Sequence, residues 1–452
     1  MPILSQELHE QDGSMNFSEK DGEVIYLVQR KSEANCESKD EILDSCVGVL
    51  GGSRCQSGEF SWNEKTQGWV LGAFFYGYII TQIPGGYLAT RFGAKRLLAV
   101  GLVCTSTMTL LIPLAGRLHV GVLIALRVVS GSGEFDTDED SSKSEDNVQS
   151  SDERSSFGIV FGMPISGILS DSSFLGVWPS VFYVFGGLGL LWIVFWMWII
   201  HETPADHPTI TKAEQQYTEA STGKKEYLST PWKKILTCSA LWGIAAAHFA
   251  EYWLFFMTMT CLPAYMKNIL KFDMKSIGFL SGLPYLLLWF MQAVSSCFAD
   301  FLRANHYLST QMTRKIFTTA GFLLPAVLIV GVGYTGCDHT LAVVLLALTL
   351  GTSGLTTPGY VVCQNLRILL ACQCVRILFG ITNTLATIPR FVAPIVVGVL
   401  TNHNETSGQW RIIFFISSGI IVAGAAIFAL LARGEEMPWS GENSETDIII
   451  EP

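Results

Sequence analysis

From Trp69 to Ala89 the chain runs for 21 residues without a charged side chain. A helix of that length crosses a hydrocarbon core about 30 Å thick. The constraint is severe, because backbone N–H and C=O groups in hydrocarbon have no water to bond and must be satisfied within the segment or its neighbours. Eight further segments meet it: 97–115, 178–200, 239–262, 278–299, 316–334, 340–362, 378–400 and 411–432. With 68–89 they predict nine full-length helices and an all-α, polytopic membrane protein.

Composition excludes several other classes. Hydrophobic residues make up 49% of the chain and charged ones only 15%. The net charge of -10 is concentrated in the first 67 residues, in 134–153 and beyond Gly434. These polar segments are mainly acidic, whereas binding phosphate backbones requires clustered cations, so nucleic acid is not an expected partner. There is no P-loop, dinucleotide fingerprint or Gly-x-Ser-x-Gly, and an enzyme is not expected. The 11 cysteines are scattered without metal-ligand spacing, so neither a metal nor another cofactor is implied.

The same pattern divides the chain. Residues 1–67 read as an acidic, disordered segment, 68–200 and 239–432 as two membrane-embedded halves, 201–238 as a cytosolic connector and 433–452 as a cytosolic tail. Within the first half, two apolar pieces, 119–130 and 157–170, are too short to span a bilayer. Between them, 134–156 carries nine acidic and two basic residues and reads as a disordered loop. Lysines and arginines after the first span (Arg91, Lys95, Arg96), in the connector (Lys212, Lys224, Lys225, Lys233, Lys234) and after 299 (Arg303, Arg314, Lys315) mark those loops as cytosolic. Lys267, Lys271 and Lys275 fall on the other side, against the rule. The sequon at Asn404 is also non-cytosolic and a candidate for glycosylation. Because the first span ends in the cytosol, residues 1–67 are either translocated without a signal peptide or follow the loss of an original first helix; the second is the expectation.

GWVLGAFFYGYIITQIPGGYLATRFGAKR (68–96), RVVSGSGE (127–134), PSVFYVFGGLGLLW (179–192), AAHFAEYW (246–253), LPAYMKNILKF (262–272), GFLSGLPYL (278–286), GCDHTLAV (336–343) and GITNTLATIP (380–389) carry a resemblance. They are similar to the organic anion and sodium-phosphate transporter family of the major facilitator superfamily, in its sialin-like branch. The resemblance implies two pseudo-symmetric six-helix halves with a substrate site between them near the midplane. Here the N-terminal half is incomplete, lacking helix 1 and most of helix 4. The turn Gly86-x-x-x-x-Arg91-x-Gly93-x-Lys95-Arg96 resembles the superfamily's gating signature, with a weaker echo at Asp300-x-x-Arg303.

Ionisable residues inside spans are costly on insertion scales and are usually retained for a purpose. Glu251 and His248, three apart on one helical face, are candidates for proton exchange or for a helix-to-helix hydrogen bond. Arg127 and Glu134 lie on the segment resembling the family's fourth helix. That likeness implies a proton-coupling role for Glu134, and the planar fork of Arg127 suits a carboxylate or phosphate. Arg390, where the family has a small residue, is either an anion contact or a lesion. Arg367 stands near the place of a family aspartate. Asn383 either lines the cavity or bonds a neighbouring helix.

The resemblance thus implies a monomeric secondary transporter. It would move an organic anion, such as an acidic sugar (sialic acid) or acidic amino acid, with protons by alternating access. Sodium-driven phosphate symport is the alternative. From another class, a non-transporting membrane binding partner stands beside it. Glu445 with Ile449 and Ile450 resembles an acidic dileucine signal, which favours a lysosomal or vesicular membrane over the plasma membrane.

Overall fold

The computed structural model describes residues 59–60, 62–92, 94–134, 145–172, 174–199, 211, 233, 236–336, 338–361, 374–402 and 406–431. Among them are eleven α-helices and no strand: α1 Glu64–Phe92, α2 Ala94–Leu118, α3 Val120–Ser132, α4 Glu145–Asp171, α5 Pro179–Ile199, α6 Ser239–Asn268, α7 Met274–Ala304, α8 Thr310–Val332, α9 His339–Ser353, α10 Cys374–Leu400 and α11 Ser407–Leu431. All belong to one compact unit. Thr335–Asp338 belongs to a second and forms a turn in which the Asp338 N–H donates to the Thr335 carbonyl at 3.2 Å.

Seven segments are long and apolar enough to cross a membrane by length and composition: in α2, α5, α7, α8, α10 and α11, and in α9 with the turns after it. Helices α1 and α6 coincide with the other two expected spans and have 29 and 30 residues. They fall short in apolarity because glycines, tyrosines, Thr81 and Gln82 interrupt α1, and His248 and Glu251 interrupt α6. Buried polar groups are not confined to these two: Asn383 and Arg390 sit in α10, which does qualify as a span.

The structure corrects the sequence reading at three places. Helix α4 starts at Glu145, so 145–156 of the expected disordered loop is helical and joins the short apolar piece 157–170 in a 27-residue helix. Helix α3, the other short piece, is 13 residues long. Helix α1 starts at Glu64, inside the expected polar segment 1–67, with Asn63 capping it: its Oδ1 accepts from the Thr66 N–H at 2.8 Å. The span 340–362 is not one α-helix. It passes into a 3₁₀ turn at Gly354–Thr356 and a π turn at Thr357–Val361, because Pro358 lacks the N–H an α-helix needs. Most of 201–238, all of 433–452, and Gly93, Arg367 and Asn404 lie outside the described residues.

Helices α1–α5 and α7–α11 repeat one packing order. Helix α1 packs on α3 as α7 does on α9, α2 on α3 as α8 on α9, and α2 on α5 as α8 on α11. Helix α6 has no counterpart among the described residues of the first half and packs on α10 and α11. The halves meet along two seams, α1 against α10 and α4 against α7. Each seam closes on glycine. Gly68 and Gly72 are the fifth and ninth residues of α1, and Gly278 and Gly282 hold the same places in α7. A Cβ on Gly68 would stand 2.5 Å from the Pro394 carbonyl oxygen, and one on Gly278 would stand 2.7 Å from the Gly167 Cα. Neither is sterically possible, so the backbones approach only because these residues lack side chains. Both contacts sit at the end where α1 and α7 begin and α4 and α10 finish, the end that the lysine and arginine distribution leads one to expect outside the cytosol.

Candidate functional site

Arg390 is the centre of the interface. It lies on α10, is 8% exposed, and its guanidinium carbon stands over four rings. Tyr252 and Phe256 of α6 lie 4.5 and 5.0 Å away, and Tyr78 and Phe75 of α1 lie 4.9 and 6.0 Å away. Two rings therefore come from each half. Ring quadrupoles attract a cation placed over their faces, more strongly where water is excluded. This explains how an arginine is held in the middle of an otherwise apolar helix.

Asn383, two turns earlier on the same face of α10, ties the cage to α1. Its Nδ2 donates to the Tyr78 hydroxyl and to Gln82 Oε1, each at 3.4 Å, and its Oδ1 accepts from Arg390 Nη2 at 3.3 Å. The sequence offered a choice between lining the cavity and bonding a neighbouring helix, and the geometry shows the bonds to α1.

His248 and Glu251 approach from α6. His248 is buried, with its ring edge-on to Tyr252 at 4.5 Å and 6.1 Å from Tyr360. Glu251 is half-buried, and its Oε2 accepts from Thr356 Oγ1 at 3.4 Å, in the 3₁₀ turn where α9 breaks. Through Tyr252, which His248 and Arg390 share, the histidine belongs to the same cluster.

The residues expected from the first half do not all join. Arg127 of α3 is half-buried and donates from Nη2 to the Leu71 carbonyl of α1 at 3.4 Å, with its Nε buried without a hydrogen-bond partner. Glu134 is exposed just beyond α3, whose last turn closes with Glu134 N–H donating to Gly131 O at 3.2 Å. It is not inside a span, because α3 ends at Ser132 and Gly133 caps it. Of the gating turn, Gly86 and Arg91 fall in the last turns of α1, and Lys95 and Arg96 in the first of α2. The Lys95 carbonyl accepts from Trp196 Nε1 at 3.4 Å. The echo holds an exposed ion pair, Arg303 to Asp300, at 3.4 Å.

Sequence reasoning missed Phe75, Tyr78, Gln82, Tyr252 and Phe256. The four aromatic residues were present in the runs AFFYGY and EYWLFF, but aromatic residues in a membrane span read as lipid-facing or core until a cation is placed beside them.

The Major Facilitator Superfamily sequence profile matches residues 43–135 and 155–368. Sialin of Homo sapiens is 41% identical over 394 residues, covering 84% of this chain and 78% of that protein. Vesicular glutamate transporter 2 of Bos taurus is 37% identical over 404 residues, covering 85% and 68%. A solved D-xylose-proton symporter shares the fold with a TM-score of 0.61 at 14% identity, covering 83% and 90%. So does a bacterial homolog of the human lysosomal transporter Spinster in its inward-facing, occupied conformation, with a TM-score of 0.56 at 11% identity, covering 82% and 88%.

Proposed function

This chain belongs to the Major Facilitator Superfamily, as a relative of sialin and the vesicular glutamate transporters, and we propose that it carries a carboxylate-bearing organic anion across an organelle membrane together with protons. The observation that carries this reading is Arg390, a buried cation at the seam, gripped by aromatic rings from both halves and bonded to Asn383. A guanidinium so placed offers N–H donors to an incoming carboxylate, while the rings exclude water and strengthen the attraction. Binding at Arg390 acts on both halves at once, as an alternating-access substrate must. Arg127 supplies the second cation, from the first half.

Glu251 is the proton carrier in this reading, since its partner Thr356 can donate to the carboxylate or accept from the carboxylic acid. His248 is the alternative carrier and Glu134 a third, nearer the cytosol. An acidic sugar such as sialic acid, or an acidic amino acid of the kind in the name of the glutamate relatives, is the substrate class. A vesicular or lysosomal membrane fits that name and the tail around Glu445, Ile449 and Ile450.

The test is uptake by the full chain in proteoliposomes, comparing labelled sialic acid, glutamate and phosphate under proton or sodium gradients. Expected is proton-driven uptake of a carboxylate, reduced at least about tenfold by Arg390→Gln, since truncating a buried charged contact removes at least 1.5 kcal/mol. Glu251→Gln is expected to abolish the response to the proton gradient while leaving counterflow. Uptake of phosphate driven by sodium alone would replace this reading with the symporter. Well-folded protein that moves none of the three would favour a non-transporting membrane partner, a reading to which the thin packing of the first half gives weight.

A further inference from the structure

Arg314 sits five residues into α8, at the end opposite the glycine seams, and is 3% exposed. Nε, Nη1 and Nη2 are all buried without a hydrogen-bond partner. One turn on, Thr318 is fully buried and its Oγ1 also lacks a partner. An i, i+4 pair shares one helix face, and that face meets the π turn after α9. A Cβ on Gly359 would collide with Thr318 Oγ1 and stand 2.9 Å from the Arg314 carbonyl oxygen. Glycine at 359 is thus what allows the turn to lie against the Thr318 side chain and the Arg314 backbone.

Helix α8 and the turn laid over it supply no counter-charge. Helix α8 has no Asp or Glu, and neither does the sequence from 357 to 373. Asp300 is engaged with Arg303, and the neighbouring Lys315 is spent on the Ala429 carbonyl of α11 at 2.9 Å. Buried guanidinium groups are retained in proteins when paired with an oxyanion, whose two oxygens match the donor fork. The depth suits a phosphate: Tyr307, Met312 and Ile316 around the start of α8 are exposed and mark a headgroup-level rim.

We propose that Arg314 and Thr318 form a second anion site, separate from the Arg390 cage, that takes a phosphate group. The site neither uses nor requires the transport cycle proposed above. Its phosphate comes either from solution or from an anionic lipid headgroup, and both present the same oxygens.

The experiment measures the apparent melting temperature of the full chain in an uncharged detergent. Inorganic phosphate is compared with chloride at matched ionic strength, and a short-chain phosphatidylglycerol is added in a parallel series. Phosphate-bearing ligands are expected to raise the melting temperature by several degrees over chloride. Arg314→Gln abolishes the shift without lowering the starting value, because it removes an unpaired charge. Should that variant fail to fold, Arg314→Lys and Thr318→Val serve. The valine variant keeps the shape and moves the half-maximal phosphate concentration up about tenfold. A shift from inorganic phosphate identifies the soluble source, and a shift from lipid alone the headgroup. No shift with either ligand, or a shift that survives all three substitutions, overturns the proposal.

Discussion

The two halves share one packing order and differ in what fills it. In the second half the main core draws its buried residues from 240 to 428, with α6 at its centre: Leu254, Met266, Tyr285, Phe322, Trp410 and Phe428 are fully or almost fully enclosed. In the first half, a cluster among the described residues consists of Ile112, Ala115 and Leu123. Helix α5 shows the difference most directly. In its apolar window 6% of residues are buried, against 39% in α11, its counterpart. Helix α11 has α6 and α8 to pack on, whereas α5 rests on α2 and lightly on α4. Among the described residues, the half with the larger core is the one that has a sixth helix, α6, at its centre.

Three measurements break or sharpen the contrast. The largest effect is expected from core truncation: Phe322→Ala should destabilise by about 3–5 kcal/mol, and Trp192→Ala on α5, 56% exposed, by less than about 0.5 kcal/mol. Equal losses in thermal unfolding would mean that the first half is packed after all.

The second concerns the seams, where the halves should behave alike. Gly68→Val and Gly278→Val are each expected to cost about 1–3 kcal/mol by overpacking and to lower uptake together. Tolerance of one and not the other would show that only one seam closes on its backbone.

The smallest effect separates the caps of the two repeated helices. Asn63 caps α1 and Asp273 caps α7, where the Ser276 N–H donates to Asp273 Oδ2 at 3.1 Å. Hydrogen bonds from Ser276 hold the Asp273 carboxyl below its ordinary range. Its contribution is therefore complete above that range and fades as pH falls through the lowered value. Either residue changed to alanine should cost about 0.5–2 kcal/mol near neutral pH. Only the Asp273 effect should shrink in acid, and equal pH profiles would contradict the capping geometry.

The spans were legible in the sequence because lipid demands a uniform chemistry over a fixed length. Helix α4 was not, since hydropathy cannot see that acidic residues extend a helix beyond its apolar part. Nor was the break in α9, where Pro358 and Gly359 barely change the average. Arg390, His248, Glu251 and Asn383 stood out as polar groups in apolar runs; contacts through Tyr252 and a hydrogen bond join His248, Arg390 and Asn383, while Glu251 bonds Thr356. Glu134 did not join them, because its place was inferred from likeness in a stretch where the helix stops. The cage around Arg390 escaped notice for a physical reason: an aromatic ring becomes a ligand for a cation only through tertiary placement.

The glycine seams have a consequence for what governs each end of the molecule. Contacts between bare backbones release little water and carry no charge, so dissolved salt hardly touches them. They answer instead to lateral pressure and bilayer thickness, which press helices together or splay them. The opposite end carries exposed ions such as Asp300 and Arg303, which ionic strength does screen. The seams of this carrier are thus tuned by the mechanics of its membrane, whereas its exposed ions, including Asp273 and Lys275 beside the glycine seam, answer to the composition of the solution that bathes them.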